Sequence, residues 1–361
     1  MSDYGGNAGR GSHALAMAAA EKIYECRTLL ARHFGVSDPA RVIFTLNTTT
    51  ALNTVLKGFL RRGDHVLISD LEHNSVLRPL SKMRVEGKIT FSEFPSMVGD
   101  PRRTTERILA GIACSMTPKT RMLVTTHASN LCSVTMPIRE MGAFCQRHGI
   151  LFVVDGAQSA GHETILVDEM KIDALCIPAH KGLLGPQGCG AILLGKHVSP
   201  EKLGTLVEGG NGMASLERAM PFVFPERYEA GTLPTPAIAG LSEGIKIIER
   251  LGIDAIAEHE RTLFRRAREL LSDIEGVRLY APEYEGAVLL FNLDGIPAER
   301  VGRQLAERDI CVRSGYHCAA LGHKTLGTPD GGAVRASFGI YNDLGEVERF
   351  AYGLREILKE K

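Results

Sequence analysis

Two residues that follow apolar strand patterns, Asp155 and Lys181, offer the clearest chemistry in the sequence. Asp155 ends the run Leu151–Val154, and Lys181 follows Ala174–Ile177 and opens a glycine-rich loop. Ligands of open α/β sheets bind beyond the carboxyl ends of the strands, where both side chains would lie. A lysine there can form a Schiff base if its pKa is lowered. The alternatives are a solvated surface lysine and a helix-capping aspartate.

Three consecutive threonines, Thr48, Thr49 and Thr50, open a helical pattern directly after a strand pattern. Free backbone N–H groups and neighbouring hydroxyls at a helix start suit a phosphate, although an ordinary threonine cap is the alternative. The chain order is therefore threonine helix start, aspartate, then lysine 26 residues later. This order suits pyridoxal phosphate (PLP), with Asp155 against the pyridine nitrogen and Lys181 as the Schiff-base amine.

The elements that must position these residues form an α/β pattern between Arg41 and Gly195, where short apolar strands alternate with amphipathic helices. The predicted strands are Val42–Thr45, His65–Ser69, Ile89–Phe94, Met122–Thr126, Leu151–Asp155, Ala174–Ile177 and Ala191–Leu194. Most are apolar on both faces, which predicts a mostly parallel seven-stranded sheet covered by helices.

Beyond this sheet, helices are predicted near Pro236–Arg250 and Asp254–Ser272, and the pattern then becomes that of a small α+β domain. Its predicted strands include Cys311–Arg313. We expect three parts: an N-terminal segment 1–13, a large domain 14–245 and a small C-terminal domain 246–361.

Composition excludes several classes of protein. Lysine plus arginine and aspartate plus glutamate both number 42, so the basic excess of a nucleic-acid-binding protein is missing. No apolar run is long enough to span a bilayer, and no membrane partner is expected. The 8 cysteines form no Cys-x-x-Cys pair, so no metal site is predicted, and a reducing cytoplasm is the expected compartment.

A set of ordered motifs resembles the fold-type I, class V aminotransferase group of PLP enzymes, specifically the cysteine desulfurase and selenocysteine lyase family. The resemblance covers nearly the whole chain. The matching motifs are Thr48-Thr49, Glu72-His73-Asn74-Ser75, Thr126-His127-Ala128-Ser129-Asn130, Asp155-Gly156-Ala157-Gln158, His180-Lys181, Glu229-Ala230-Gly231-Thr232, Arg313-Ser314-Gly315-Tyr316-His317-Cys318-Ala319 and Arg335-Ala336-Ser337. Each motif alone is weak, whereas the ordered set is highly specific.

The resemblance implies roles for five residues around the cofactor ring. Lys181 would hold PLP covalently and move the Cα proton, and Asp155 would keep the pyridine nitrogen protonated. His73 would stack on the ring and assist proton transfer. Asn130 and Gln158 would contact the ring hydroxyl or the substrate. The alternative for His73 and Asn130 is an ordinary loop or cap residue.

Five further residues would bind anionic groups. Thr48, Thr49 and His180 would hold the phosphate, and Thr232 would reach the phosphate bound by a neighbouring subunit, which implies a homodimer. Arg335 would bind the substrate carboxylate through two parallel hydrogen bonds, the geometry that a guanidinium suits. The alternative for Arg335 is an ion pair within a strand.

Cys318 is the residue that distinguishes this family from ordinary transaminases. It lies beside His317 and among basic residues, where a reactive thiolate is expected, although a cysteine is more often a buried, inert thiol. The form Arg-x-Gly-x-His-Cys resembles the second desulfurase subgroup, whose members pass sulfur to an acceptor protein. The implied reaction converts L-cysteine into L-alanine and leaves a persulfide on Cys318.

Two alternatives stay open. The chain could act on L-selenocysteine, or be another PLP-dependent C–S lyase, because selenium leaves more easily than sulfur and depends less on Cys318. From a different class, it could be a non-catalytic PLP-fold scaffold in sulfur transfer.

Two departures from the family pattern accompany the resemblance. The Asp-Asn-Ala-Ala-Thr strand with which members begin has no counterpart, so we expect segment 1–13 to be a truncated form of that region. Pro178 stands where the family has a hydroxyl residue. Since proline cannot donate a hydrogen bond, phosphate binding should weaken by about 1–2 kcal/mol.

Overall fold

The computed structural model describes residues 4–9, 11–213, 215–328 and 330–360. Seven strands form the larger sheet: β1 (Val42–Thr45), β2 (His65–Ser69), β3 (Thr90–Phe94), β4 (Thr120–Thr126), β5 (Leu151–Asp155), β6 (Ala174–Pro178) and β7 (Gly190–Leu194). Their order is β1-β7-β6-β5-β4-β2-β3. Strand β7 is antiparallel to both neighbours, and the other adjacent pairs are parallel. The predicted mostly parallel sheet of seven strands is therefore confirmed.

Helices cover both faces of this sheet, which explains why its central strands are apolar on both sides. They are α1 (Ala14–His33), α2 (Thr48–Phe59), α3 (Asn74–Val85), α4 (Thr105–Ser115), α5 (Ile138–His148) and α6 (Thr235–Leu251). Helix α2 shows the principle, because Ala51, Leu52, Val55 and Leu56 recur at helical spacing and are all fully buried. Each such aliphatic side chain larger than alanine contributes roughly 1.5–3 kcal/mol by burial.

A second sheet of four antiparallel strands belongs to the C-terminal part. The elements are α7 (Ile253–Ser272), β8 (Val277–Tyr280), β9 (Val288–Leu293), α8 (Ala298–Ala306), β10 (Arg313–Gly315), α9 (Ala320–Leu326), β11 (Ala333–Ser337) and α10 (Leu344–Lys359). The strand order is β10-β11-β9-β8. Phe264, Phe291 and Phe350 lie in a core of their own beside this sheet.

The two cores meet near the junction of α6 and α7. Ile238 and Ile245 of α6 pack in a core of the large sheet, whereas Leu263 and Phe264 of α7 pack in the core of the small one. The division of the chain into 1–13, 14–245 and 246–361 stays a prediction.

One predicted strand is displaced. The sequence predicted Cys311–Arg313, whereas β10 spans Arg313–Gly315. Apolar Ile310 and Val312 suggested a strand, but they pack against the small core from an irregular segment. Strand pairing begins only where Arg313 lies opposite Arg335 of β11. This shift places the short strand directly before Tyr316, His317 and Cys318.

No helix in the described part of the chain is long and apolar enough to cross a membrane.

Candidate active site

One cavity lies where the carboxyl ends of β4, β5 and β6 meet the N-termini of α2 and α3. This is the edge of an α/β sheet at which ligands bind. The predicted site residues that line it are Thr48, Thr49, His73, Asn130, Asp155, Gln158, His180 and Lys181. The structure thus brings eight separately predicted residues together, and Pro178 lies among them.

Lys181 and Asp155 form the electrostatic centre of the cavity. Burial lowers the pKa of Lys181, and the charges of Arg335 and Arg313 lower it further, against the opposing attraction of Asp155. The Lys181 side chain remains accessible because the cavity is open, although protein surrounds it. Burial raises the pKa of Asp155, whose Oδ1 accepts a hydrogen bond from the Ala157 N–H at 2.9 Å. A lysine with a lowered pKa is a better nucleophile at neutral pH.

The start of α2 differs from the sequence prediction in its capping residue. Asn47, not a threonine, is the N-cap, and its Oδ1 accepts from the Thr50 N–H at 2.9 Å. Thr48 and Thr49 therefore occupy the first helical turn. The Thr49 hydroxyl is 2.8 Å from Ser75 Oγ, whereas the buried Thr48 Oγ1 has no hydrogen-bond partner among the described residues.

His73 caps α3 and stays neutral at physiological pH. Its Nδ1 accepts from the Ser75 N–H at 3.0 Å, so the ring presents its other edge to the cavity. Burial is the main cause that lowers the pKa of His73 to about 4, and the charges of Lys181, Arg313 and Arg78 act in the same direction. His180 also has a lowered pKa, because of burial and the adjacent Lys181 charge, and it is exposed at the mouth of the cavity.

Glu72 is a buried group next to the cavity, and its role was not predicted from the sequence. Its Oε1 accepts from the Thr126 N–H at 2.7 Å and from the Ser69 hydroxyl. Burial raises the pKa of Glu72 to about 8, with the nearby Asp155 charge adding to the shift. The protonated carboxyl therefore ties β2 to the end of β4. Only its place directly before His73 in a matching motif could have indicated it.

Arg335 and Asn130 connect the small sheet to the cavity. The Arg335 guanidinium donates from Nη1 to the Asn130 carbonyl at 2.9 Å, and its buried Nε has no partner among the described residues. Asn130 is buried, and its side-chain Nδ2 donates to the His317 carbonyl at 2.8 Å. The structure therefore shows Asn130 as a bridge to the cysteine-bearing loop, while its predicted contact with a cofactor or substrate stays a prediction.

Cys318 lies in a loop directly after β10, half-buried and free. Its carbonyl accepts from the Asn74 N–H at 2.7 Å, which fastens the loop to the start of α3. Arg313 Nη2 lies 3.8 Å from Cys318 Sγ, close enough to donate a hydrogen bond to sulfur. The Arg313 charge also acts on His73 and Lys181, so this arginine links the sulfur to the cavity. Arg313 belongs to one of the matching sequence motifs, but no role was predicted for it.

Three predicted site residues do not line this cavity. Arg335 and Cys318 lie next to it, through bonds to Asn130 and Asn74. The third, Thr232, lies elsewhere in the single chain. It is exposed and lines a different cavity of about 610 Å³, between α1 and the segment that precedes α6. Asn7 Nδ2 donates to its hydroxyl at 3.4 Å. Although that cavity is larger, it holds neither a lysine nor a cysteine, so its chemistry does not compete with that of the Lys181 cavity.

The remaining cysteines are Cys26, Cys114, Cys132, Cys145, Cys176, Cys189 and Cys311, and all are free. Five of these seven are buried, as expected for small apolar side chains, and Cys114 and Cys311 are exposed.

The residues of the cavity fit PLP. The unpartnered Thr48 hydroxyl at the start of a twelve-residue helix is a ready donor to a phosphate. Two of the three charges that act on Lys181 are positive, which favours an anionic ligand. Asp155 supplies the carboxylate that a pyridinium nitrogen requires, and Lys181 supplies the amine for a Schiff base.

Comparison with known proteins agrees with this geometry. The family model described as "Aminotransferase class-V" matches residues 1–350. A protein of Pyrococcus abyssi named "Probable cysteine desulfurase" is 34% identical over 99% of this chain and 88% of its own length. "Cysteine desulfurase" of Salmonella agona is 32% identical over 96% of this chain and 85% of its own length. The apo structure of a cysteine desulfurase from Thermococcus onnurineus NA1 superposes with a TM-score of 0.88 at 31% identity, covering 99% of this chain and 89% of that one.

Proposed function

The chain belongs to the class V aminotransferase family, within which its full-length relatives are cysteine desulfurases, and from this premise we propose that it converts L-cysteine into L-alanine with PLP as its cofactor. Members of this family are generally PLP-dependent enzymes. The sulfur leaves the substrate as a persulfide on Cys318.

The main support for the proposal is that the loop bearing Cys318 is held next to the Lys181 cavity. Arg313 approaches Cys318 Sγ and acts electrostatically on Lys181, while Asn74 and Asn130 hold the loop from the large-sheet side. An ordinary transaminase needs the lysine alone. A cysteine fastened beside the lysine cavity supplies the second nucleophile that removal of sulfur requires.

The cofactor would be held by residues that already line the cavity. Thr48, Thr49 and His180 would bind the phosphate, and Asp155 would pair with the pyridine nitrogen. Lys181 would anchor the cofactor covalently. When bound, PLP supplies an electron sink for the electrons released at the substrate Cα.

Gln158, Asn130 and His73 are proposed to contact the ring. The neutral state of His73, which follows from its pKa of about 4, suits stacking against a ring. Its imidazole can also accept a proton at physiological pH.

The protein's own residues perform the proton and sulfur transfers. The Arg335 guanidinium binds the substrate carboxylate through its free Nε, and this contact orients the Cα–H bond toward Lys181. Once the substrate amino group has displaced Lys181 from the cofactor, the freed Lys181 Nζ, with its lowered pKa, would remove the Cα proton.

The Cys318 thiolate then attacks the substrate sulfur. A new S–S bond forms while the Cβ–S bond breaks, and the electrons of the broken bond stay with the carbon skeleton. Protonation of that skeleton gives alanine, and the sulfur remains on Cys318. Arg313 stabilises the negative charge on the attacking sulfur.

We further propose a cytoplasmic homodimer in which Thr232 of one subunit contacts the phosphate site of the other. Its exposure and its distance from the Lys181 cavity of its own chain support this role. The Arg313–Cys318 motif supports membership of the second desulfurase subgroup, whose persulfide passes to an acceptor protein.

The test is product analysis with purified protein, L-cysteine, PLP and a reductant. We expect equal amounts of alanine and sulfide, dependent on PLP and absent in a Lys181→Ala variant that folds normally. A colourless sample that binds no PLP and forms no alanine would contradict the proposal and favour a non-catalytic scaffold.

The Cys318→Ala variant distinguishes a cysteine desulfurase from a selenocysteine lyase. A desulfurase loses alanine formation from L-cysteine in this variant. A variant that retains the full rate with L-cysteine would exclude the persulfide mechanism. Retention with L-selenocysteine alone would show that selenium leaves without help from Cys318.

A further inference from the structure

Two histidines beside Cys318 form a buried chain of hydrogen bonds that the proposed mechanism does not use. The rings of His317 and His323 are stacked, with centroids 5.4 Å apart and planes inclined by 13°. His317 Nε2 lies 3.0 Å from the Arg313 carbonyl, and His317 Nδ1 lies 3.1 Å from His323 Nε2. His323 Nδ1 lies 2.8 Å from Thr328 Oγ1. Tyr316 packs edge-on against His323 at 5.5 Å.

The Arg313 carbonyl fixes the donor and acceptor of every hydrogen bond in this series. The Arg313 carbonyl can only accept, so His317 Nε2 carries the proton. In the neutral ring, His317 Nδ1 must then accept, and His323 Nε2–H is its donor. His323 Nδ1 is left as an acceptor for the Thr328 hydroxyl. Each imidazole has one donor and one acceptor, and the arrangement uses all four.

Both imidazoles of this hydrogen-bonded chain are neutral, because their surroundings lower their pKa values. Burial is the main cause that lowers the pKa of His317 to about 4. The hydrogen bond to the Arg313 carbonyl opposes this shift, whereas the charges of Arg335, His323 and Arg313 add to it. Burial also lowers the pKa of His323. The charged groups that act on His317 are thus the arginines of β10 and β11, and no carboxylate is among those described. If both rings were protonated, the N–H groups of His317 Nδ1 and His323 Nε2 would face each other.

The loop of His317 and Cys318, which the hydrogen-bonded histidines support, has an unusual backbone. His317 and Cys318 both have positive φ, 52° and 57°, a region that side-chain-bearing residues adopt rarely. Such a conformation persists only when the surroundings impose it. Asn130 and Asn74 bind the carbonyls of the two residues from the large-sheet side. The imidazole chain holds the same loop from the small-sheet side, through the residue that contacts Cys318 Sγ, Arg313.

We propose that His323 is a positioning residue for Cys318. Its Nε2–H orients the neutral His317 ring, which holds the Arg313 carbonyl and so keeps the guanidinium of Arg313 beside the sulfur. This inference deepens the proposed function and rests on it for its kinetic test. His323 lies on α9, outside the motifs that indicated the site, and touches no reacting atom.

The kinetic test compares three variants. His323→Leu removes the donor and retains volume, whereas His323→Gln retains an N–H that can reach His317. His259→Leu is the matched control, because His259 is an exposed small-domain histidine whose Nε2 is 3.0 Å from the Asn342 carbonyl. We expect His323→Leu to lower kcat for L-cysteine by about tenfold or more with KM unchanged, because Arg335 still binds the carboxylate. His323→Gln should recover most of kcat, and His259→Leu should behave as wild type.

The second readout needs neither cofactor nor turnover. Hydrogen exchange of the Asn74 amide reports its bond to the Cys318 carbonyl, and peptides over 316–319 report the loop itself. In the cofactor-free protein, His323→Leu should accelerate exchange at both places and leave β4 and β5 unchanged. If His323→Leu does not fold, Thr328→Val can replace it, because it removes the last hydrogen bond of the series, between Thr328 Oγ1 and His323 Nδ1. Thr328→Val should accelerate exchange at the same two places by a smaller amount.

The inference is overturned if His323→Leu leaves kcat and exchange unchanged, if KM rises in step with the fall of kcat, or if His323→Gln is as impaired as His323→Leu. If the wild-type protein forms no alanine from L-cysteine, the proposed function fails. The exchange measurement then still decides whether His323 holds the loop.

Discussion

Burial sets the protonation of the residues that matter most in this site. It lowers the pKa of Lys181 and His73 and raises that of Asp155 and Glu72. The cavity thereby favours a nucleophilic amine and a neutral imidazole at physiological pH. Clusters of shifted groups in a cleft are typical of active sites.

Only some of these groups could be predicted from the sequence. Lys181 and Asp155 were predictable because Asp155 ends one apolar strand and Lys181 lies three residues beyond another. The buried role of Glu72 was not, because its bond to the Thr126 N–H joins positions 54 residues apart. His323 was not predicted either. Its partner His317 lies only six residues earlier, but their contact depends on the backbone turn between β10 and α9.

Glu72 provides a prediction about stability and pH. Its pKa is about 8 in the folded protein against an ordinary 4.5, so between these values the folded state keeps a proton that the unfolded chain has lost. The free energy of unfolding therefore falls as pH rises through this window. Glu72→Gln removes this dependence, and its stability relative to wild type should increase by roughly 1–3 kcal/mol between about pH 5 and about pH 8.

Urea unfolding at both ends of the pH window measures this difference. Glu86→Gln, at an exposed position with a lowered pKa, is the control and should not show the increase. Parallel pH curves for wild type and Glu72→Gln would show that Glu72 is ionised in the folded state.

Pro178 gives a prediction about cofactor affinity. It lines the cavity at the end of β6 and lacks both a hydroxyl and a backbone N–H. Pro178→Ser should tighten PLP binding by about tenfold, since one added hydrogen bond contributes about 1–2 kcal/mol. Titration of cofactor-free protein with PLP measures this. Pro178→Ala is the control, because it restores only the backbone N–H. A gain in PLP affinity that is specific to serine identifies the hydroxyl as the added donor. Equal PLP affinity in wild type and Pro178→Ser contradicts the prediction.

At the scale of elements, the site depends on helix starts and strand ends that meet at one edge of the sheet. Asn47 and His73 directly precede helices α2 and α3, and each caps its helix with a side-chain acceptor. The sequence predicted a helix start in this region but assigned the cap to threonines. Asparagine is somewhat preferred over threonine as a cap, but this preference is too small to decide between adjacent positions. The displaced strand β10 has a similar origin, because its extent follows from pairing with the distant β11.

The Asn47 cap provides a prediction in which stability and cofactor binding change together. Asn47→Ala should lower the free energy of unfolding by about 0.5–2 kcal/mol and should also weaken PLP binding, because fraying of α2 displaces Thr48 and Thr49. Thr104→Ala is the matched control. Thr104 caps α4, which does not line the cavity, so a comparable loss of stability should leave PLP binding unchanged. Equal PLP affinity in both variants would show that the start of α2 does not bind the phosphate.

At the scale of the whole molecule, two cores are joined across the site. The small sheet contributes Cys318, Arg313 and Arg335, and the large sheet contributes the lysine cavity. The alternation of strands and helices predicted the large sheet almost strand for strand, since burial on both faces leaves a strong apolar pattern. The meeting of the two parts was implied only by the family resemblance, because no local pattern encodes contacts such as Arg335 to Asn130.

The proposed homodimer provides a prediction at this scale. Leu216 and Phe222 are 99% and 60% exposed, in the irregular segment that precedes Thr232. Apolar side chains grouped in this way mark an interface. The wild-type protein should sediment as a dimer, and the double variant Leu216→Glu, Phe222→Glu should sediment as a monomer with weakened PLP binding. Val85→Glu, at an exposed position on α3, is the control and should remain dimeric. A monomeric wild-type protein would contradict the role proposed for Thr232.

The most direct test of the account is to locate the sulfur after turnover. PLP-loaded protein is mixed with L-cysteine without reductant or acceptor, and peptides containing each of the 8 cysteines are analysed by mass spectrometry. The account predicts one additional sulfur atom on the Cys318 peptide, in proportion to the alanine released, and none on the exposed Cys114 and Cys311. Alanine formation with Cys318 unmodified, or with sulfur on Cys311 instead, would contradict it.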